Sequence, residues 1–210
     1  MPKTAPFEAH ADDYEAWFET HPAIYAAEVE AVRRLLPPFK RGIEIGVGSG
    51  RFSLPFGIRE GVEPSGKMAA IARGKGIRTI EGVAERLPLE SGQYDLVMMV
   101  TTICFVDDVT RSLEEIRRVL QPGGHLIVGF VDRDSPIGRL YERQRDGSRF
   151  YRAARFFGAA EVRALLEAAG FDEIRALQTL FGETLQEAEC SVKEGYGEGS
   201  FVVFRAKKTS

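Results

Sequence analysis

The sequence predicts an α/β fold in which one mostly parallel sheet carries helices on both faces. Three observations support this. An apolar strand within residues 41–50 runs directly into glycines at 46, 48 and 50, a turn that leaves bare backbone where a strand ends. Tyr94 to Val100 is a continuous apolar run broken only by Asp95, which suits a strand covered on both sides. Extended and helical patterns alternate up to about residue 158, and two further extended segments finish the chain.

The elements follow in order. Phe7 to Leu36 reads as mostly helical, with Tyr14, Trp17, Phe18, His21 and Tyr25 on one broad face by their helical spacing. That face either packs on the sheet or lies over a ligand. The first strand passes through the glycine turn to the helix that should follow it. Gly61-Val62-Glu63-Pro64-Ser65 reads as the end of the second strand and the cap of a helix near Ser65. Tyr94 to Val100 is the fourth, central strand, ending in Thr101-Thr102-Ile103-Cys104-Phe105, where a parallel sheet presents residues to its ligand. Asp107-Asp108 starts a helix with Leu113, Ile116, Val119 and Leu120 at helical spacing, closed by Pro122-Gly123-Gly124. Leu126 to Phe130 is the fifth strand. Ala160 to Ala169 is a helix stopped by Gly170. Ile174 to Thr179 and Phe201 to Ala206 are the last strands, joined by the polar, glycine-rich stretch from Glu187 to Ser200.

The glycine turn narrows the chemistry. A dinucleotide fingerprint started at Gly46 needs glycine or alanine at position 51, where Arg51 stands, and a phosphate loop needs a Gly-Lys-Ser/Thr ending that is absent. What remains is E-x-G-x-G-x-G from Glu44 to Gly50. A carboxylate at the strand's end suits a cationic ligand without phosphate. Glu63, 17 positions after Gly46, stands where a carboxylate accepts hydrogen bonds from both ribose hydroxyls; its competing role is to cap the helix at Ser65.

With these pieces in order, residues 41–206 resemble the class I S-adenosylmethionine-dependent methyltransferases, in particular the type 11 group acting on small molecules. The segment Ile80-Glu81-Gly82-Val83-Ala84-Glu85-Arg86-Leu87-Pro88 and the Leu-x-Pro-Gly-Gly break at Leu120 to Gly124 complete the match. The resemblance implies a Rossmann-like, seven-stranded mixed sheet of order 3-2-1-4-5-7-6 with the last strand antiparallel. It implies one domain over residues 1–210: a helical cap (1–38), a cofactor core (39–131), a substrate-side insertion (132–157) and the C-terminal part of the sheet (158–210). It also implies S-adenosylmethionine as cofactor, S-adenosylhomocysteine as product, and in-line methyl transfer to a small-molecule acceptor. Tyr14, Glu44, Gly46, Gly48, Gly50, Glu63, Pro64, Ala84, Glu85, Thr101 and Thr102 are the positions it assigns to the cofactor. Val83 departs from the family, which commonly has Asp there to receive the adenine amino group, so backbone or Glu85 supplies that contact or it is absent.

Acceptor and catalytic roles are less sharply written. Trp17, Phe18, Tyr151 and Arg155 are the acceptor-side candidates, and Tyr14, His21 and Asp132 are the candidate bases. The insertion from Asp132 to Phe157 is dense in arginine and aromatic residues, which suits an anionic or aromatic acceptor or, alternatively, a solvated basic helix. His125 sits at the wrong end of its strand for catalysis, and Cys104 reads as a buried strand-end thiol. A net charge of −3 disfavours nucleic acid. Two cysteines and three histidines form no metal pattern, no apolar run reaches membrane length, and the cytoplasm is the expected compartment. Two other readings compete: a nicotinamide-dependent oxidoreductase, which Arg51 disfavours, and an S-adenosylmethionine-binding protein without transferase activity, which Val83 leaves open.

Overall fold

The computed structural model describes residues 3–209. Strands β1 (Gly42–Ile45), β2 (Glu60–Val62), β3 (Arg78–Ile80), β4 (Tyr94–Val100) and β5 (Leu120–Val131) are parallel. Strands β6 (Asp172–Thr179), β7 (Lys193–Glu194) and β8 (Phe201–Lys207) complete one sheet of order β3-β2-β1-β4-β5-β8-β6-β7. β8 runs against both β5 and β6. The expected 3-2-1-4-5-7-6 order is therefore present, with β8 in the seventh place. The eighth strand is the addition: Lys193 and Glu194, inside the glycine-rich connection, pair with Gln178 and Leu177 at the sheet edge.

The alternation of side chains along each strand divides the core into two layers. Val97 and Met99 face Leu113 and Ile116 of α5 (Val109–Val119) and Val162 and Leu166 of α7 (Ala159–Ala168). Leu96, Met98 and Val100 face Ala27, Ala31 and Leu35 of α3 (Pro22–Leu35). Burial on both faces explains why Tyr94–Val100 lacks a polar alternation.

The helical N-terminal segment is three helices rather than one: α1 (Ala5–Ala9), α2 (Ala11–Thr20) and α3. Pro22 opens α3, and a residue before proline is driven out of helical geometry, which breaks the run at His21 (φ −127°, ψ 51°). No α-helix follows β1. Residues 46–57 form turns and a single 3₁₀ turn at Leu54–Phe56, ended by Gly57 at φ +73°. The helix after β2, α4 (Gly66–Gly74), is capped by Ser65, whose Oγ accepts from the Met68 amide at 3.2 Å. α5 is capped by Asp108, which accepts from the Arg111 amide at 2.9 Å. It ends at Val119, one residue before the expected Leu120. Leu120 already pairs with Tyr94, and a register shift carries β5 through Pro122-Gly123-Gly124, where Gly123 adopts φ +78°. Between β5 and α7 the insertion folds as α6 (Pro136–Gln144) and two 3₁₀ turns. No helix among the described residues is long and apolar enough to cross a membrane.

Candidate cofactor and acceptor site

The C-terminal ends of β1, β2 and β4 and the segment after β3 open onto one cavity of about 480 Å³, roofed by α2 and the insertion. This is within the usual size of small-ligand pockets. The three glycines after β1 all have positive φ: +70°, +54° and +85° at Gly46, Gly48 and Gly50. A Cβ at Gly46 would lie 2.3 Å from Thr102 Cγ2, and one at Gly50 would lie 2.3 Å from Ile77 Cδ1. These two glycines allow protein to meet protein. A Cβ at Gly48 would find only Met68 Cε at 3.6 Å and the Tyr14 hydroxyl at 4.0 Å. Gly46 and Gly48 line the cavity and Gly50 does not.

Glu63 and Pro64 form the next part of the wall. Glu63 Oε2 accepts from the Gly48 amide and Oε1 from the Ser65 amide, each at 2.8 Å. The carboxylate thus ties the glycine turn to the start of α4, and Ser65 performs the capping. Burial raises the Glu63 pKa despite the two amide donors. Each oxygen retains acceptor capacity toward the cavity. Glu44 is placed differently from the expectation. It is 1% exposed, lies beneath the turn outside the cavity, and accepts a hydrogen bond from Ser53 Oγ. Burial pushes its pKa up to about 8, with Ser53 opposing and Glu63 adding to the shift.

Val83, Ala84 and Glu85 line the cavity, but Glu85 Oε1 is engaged with the Asp107 and Asp108 amides at 2.6 and 3.2 Å, anchoring the entry to α5. Thr101 and Thr102 also line it. Thr101 adopts φ +54°, unusual for a β-branched residue, and Thr102 Oγ1 donates to the Gly46 carbonyl at 3.2 Å. Tyr14 reaches from α2 to the side chain of Thr101, and burial raises its hydroxyl pKa. α2 is fastened to the turn by Glu15, which receives Ser49 Oγ, Arg51 at 2.8 Å and Lys75 at 2.7 Å.

The acceptor-side candidates separate. Trp17, Phe18 and Tyr151 line the cavity. Arg155 does not; it pairs with Glu161 at 3.2 Å and lies over the Phe157 ring. Arg133, Arg145 and Arg149 are likewise engaged, with Glu161, Glu142 and Asp13. The insertion's aromatic residues face inward while these arginines pair with carboxylates. Among the described residues, the cavity wall carries one basic residue, Lys3, against five acidic ones: Asp13, Glu28, Glu63, Glu85 and Asp107. His21 stacks on Trp17 at 4.8 Å outside the cavity. Asp132 also lies outside it, accepting from the Asp134 and Ala159 amides. Neither is placed to act as a base. Cys104 does line the cavity, but burial raises its thiol to about 12, so it is neutral.

Sequence reasoning missed Glu28 on the wall and took Tyr141 only as one of the insertion's aromatic residues. Glu28 is 5% exposed in the middle of the apolar stripe Ile24, Ala27, Ala31, Val32, Leu35 of α3. A carboxylate on the buried stripe of an amphipathic helix was the available signal.

Comparison with known proteins decides the family. A crystal structure from Thermotoga maritima, described as a SAM-dependent methyltransferase and possible histamine N-methyltransferase, is 50% identical with a TM-score of 0.93, covering 98% of this chain and 99% of that one. The chain belongs to the class I S-adenosylmethionine-dependent methyltransferases. Residues 43–128 match the methyltransferase domain family. An uncharacterized protein of Methanocaldococcus jannaschii is 43% identical, over 96% of this methyltransferase and 98% of its own length. The malonyl-[acyl-carrier protein] O-methyltransferase of Geobacter sulfurreducens is 31% identical, over 80% of this chain and 69% of its own.

The residues of this methyltransferase fit its cofactor, S-adenosylmethionine. Gly48 keeps the wall free of a side chain, Glu63 offers acceptor capacity for a ribose, and the acidic wall suits a sulfonium. Arg51, at the third-glycine position of a dinucleotide site, is held by Glu15.

Proposed function

We propose that this methyltransferase moves a methyl group from S-adenosylmethionine to a small-molecule acceptor by in-line displacement. The observation carrying the reading is that one cavity joins a cofactor half, at Gly46, Gly48, Glu63 and Ala84, to an aromatic half at Phe18, Tyr141 and Tyr151. The cofactor supplies an activated methyl group on a cationic sulfur. The protein's task is alignment, which in favourable cases lowers a barrier by roughly 7 to 11 kcal/mol. Glu63 holds the ribose, and the backbone of Val83 and Ala84 supplies the adenine contacts, because Glu85 is committed to α5. Tyr14 closes the cavity over the methionine end. The acid-rich cavity wall and the net charge of −3 argue for a small acceptor and against nucleic acid.

The test is transfer of a labelled methyl group from S-adenosylmethionine to panels of amines, phenols, thiols and carboxylates, beside calorimetry with S-adenosylmethionine and NAD. Label should enter a small acceptor, and S-adenosylmethionine should bind. Tight binding of NAD alone would overturn the reading, and cofactor binding without transfer to any panel would remove the transferase half of it.

A further inference from the structure

We propose that Glu28, with Tyr141 and Tyr151 beside it in the aromatic half of the cavity, binds the ammonium group of the acceptor, so that the acceptor is an organic amine with an apolar body. The proposal deepens the methyltransferase reading above and rests on it.

Glu28 is nearly fully buried, opens onto the cavity, and has no hydrogen-bond or ion-pair partner among the described residues. Buried polar groups are almost always paired, so an unpaired carboxyl calls for a partner that arrives from outside. The fold has no need of it. The surrounding stripe of α3 is apolar, and alanine or leucine would serve packing there. Tyr141 and Tyr151 both lie within electrostatic reach of Glu28, and among the described residues neither hydroxyl has a hydrogen-bond partner. Their rings stack at 5.1 Å. Tyr25 also senses Glu28, but its hydroxyl donates to the Arg51 carbonyl. Among the described residues, no arginine, lysine or histidine contributes to the Glu28 environment. The wall's one lysine, Lys3, lies beside Val106 and Asp107.

One carboxyl, two hydroxyls and several aromatic faces form the complement of an ammonium ion. The carboxylate supplies the opposite charge, the oxygens accept the N–H donors, and the rings attract the cation through their π faces. A carboxylate or phosphate acceptor would meet no cation here. An alcohol would satisfy a hydrogen bond without neutralising the charge.

The proposal has a proton signature. Burial alone raises Glu28 to about 8, and Tyr25, Tyr141 and Tyr151 are all shifted upward, so near pH 7 the empty site is largely protonated and uncharged. An ammonium that enters as an ion pair converts the acid to carboxylate and displaces about one proton to solvent.

The experiment is calorimetry at pH 7 in the presence of S-adenosylhomocysteine, in two buffers of different ionisation enthalpy. The probes are benzylamine, 2-phenylethylamine and tryptamine, each beside the corresponding alcohol. The amines should bind roughly 30-fold or more tightly than the alcohols and release about one proton. Glu28→Gln should erase both the discrimination and the release while binding S-adenosylhomocysteine as the parent does. Glu30→Gln, on the exposed side of α3 and paired with Arg34, should change neither. Should Glu28→Gln not fold, proton release by the parent decides. Equal binding of amines and alcohols, absence of proton release, or a discriminating Glu28→Gln protein each overturns the proposal and leaves the cofactor reading intact. Failure of the parent to bind S-adenosylhomocysteine removes both.

Discussion

Gly46, Gly48 and Gly50 share a backbone conformation and differ in what they make room for, so substitutions should separate them. Gly48→Ala places a methyl group in the cavity between Met68 and Tyr14, at a strain cost of about 1–2 kcal/mol for its positive φ. It should weaken S-adenosylmethionine binding by calorimetry more than it lowers the melting temperature. Gly50→Ala should do the reverse, because its Cβ collides with Ile77 in the packing beneath the turn. Gly46 is the ambiguous position, since displacing Thr102 disturbs both the wall and the junction of β1 with β4. Glu63→Ala strands the Gly48 and Ser65 amides and removes the proposed ribose acceptor. Cofactor binding should weaken by roughly 1.5 to 3 kcal/mol, the range for hydrogen bonds to a charged group. An unchanged cofactor affinity in both Gly48→Ala and Glu63→Ala would show the site to be elsewhere. The sequence revealed the turn and Glu63 through spacing. It could not show that Glu44, only two residues from Gly46, turns away to Ser53, because direction relative to the cavity depends on the sheet's layering.

At the scale of elements, α2 is the part whose docking depends on a few polar contacts. Its aromatic face packs inward, while Glu15 gathers Ser49, Arg51 and Lys75 from the glycine turn and the end of α4. Burial works against the Glu15 charge, but its bonds to Lys75, Ser49 and Arg51 outweigh it and hold the carboxyl below 4.5. With the folded value depressed, the clamp contributes fully above the ordinary carboxylate range and is lost as pH falls through the lowered value. Glu15→Gln should therefore speed amide exchange in α2 at neutral pH and quicken cofactor release. Exchange equal to the parent's would show that the aromatic packing alone seats the helix. Helical spacing made the aromatic face legible, and Pro22 carried the break before α3. The clamp was not legible, since its partners lie 34, 36 and 60 residues away in sequence. The insertion's arginines misled for the same reason: their carboxylate partners include Asp13, 136 residues from Arg149.

Across the whole molecule, two buried carboxyls, Glu28 and Glu44, tie stability to pH in the opposite sense from Glu15. Each rises from 4.5 in the ordinary state to about 8 when folded. Between those values the folded chain holds protons that the unfolded chain has released, so stability should fall as pH rises through that window. Scanning calorimetry of the ligand-free protein should show the melting temperature declining from about pH 5 to about pH 8, with a shallower decline in Glu28→Gln; an identical slope in the variant would show that Glu28 is ionised in the empty site. The sheet order was legible through family resemblance, whereas the added edge strand was not, because two residues carry no periodicity. The reversed direction of β8 has a further consequence. Phe201, where it begins, pairs with Val131, where β5 ends. The segment leaving β5 and the segment entering β8 therefore meet at the same rim of the sheet, and Tyr151 from one and Ser200 from the other both reach the cavity. Two loops that can change length independently thus border the aromatic half, while the half at the glycine turn is built by different connections. Descendants of this architecture can exchange one guest for another by rewriting either loop, with the methyl donor's berth left as it is.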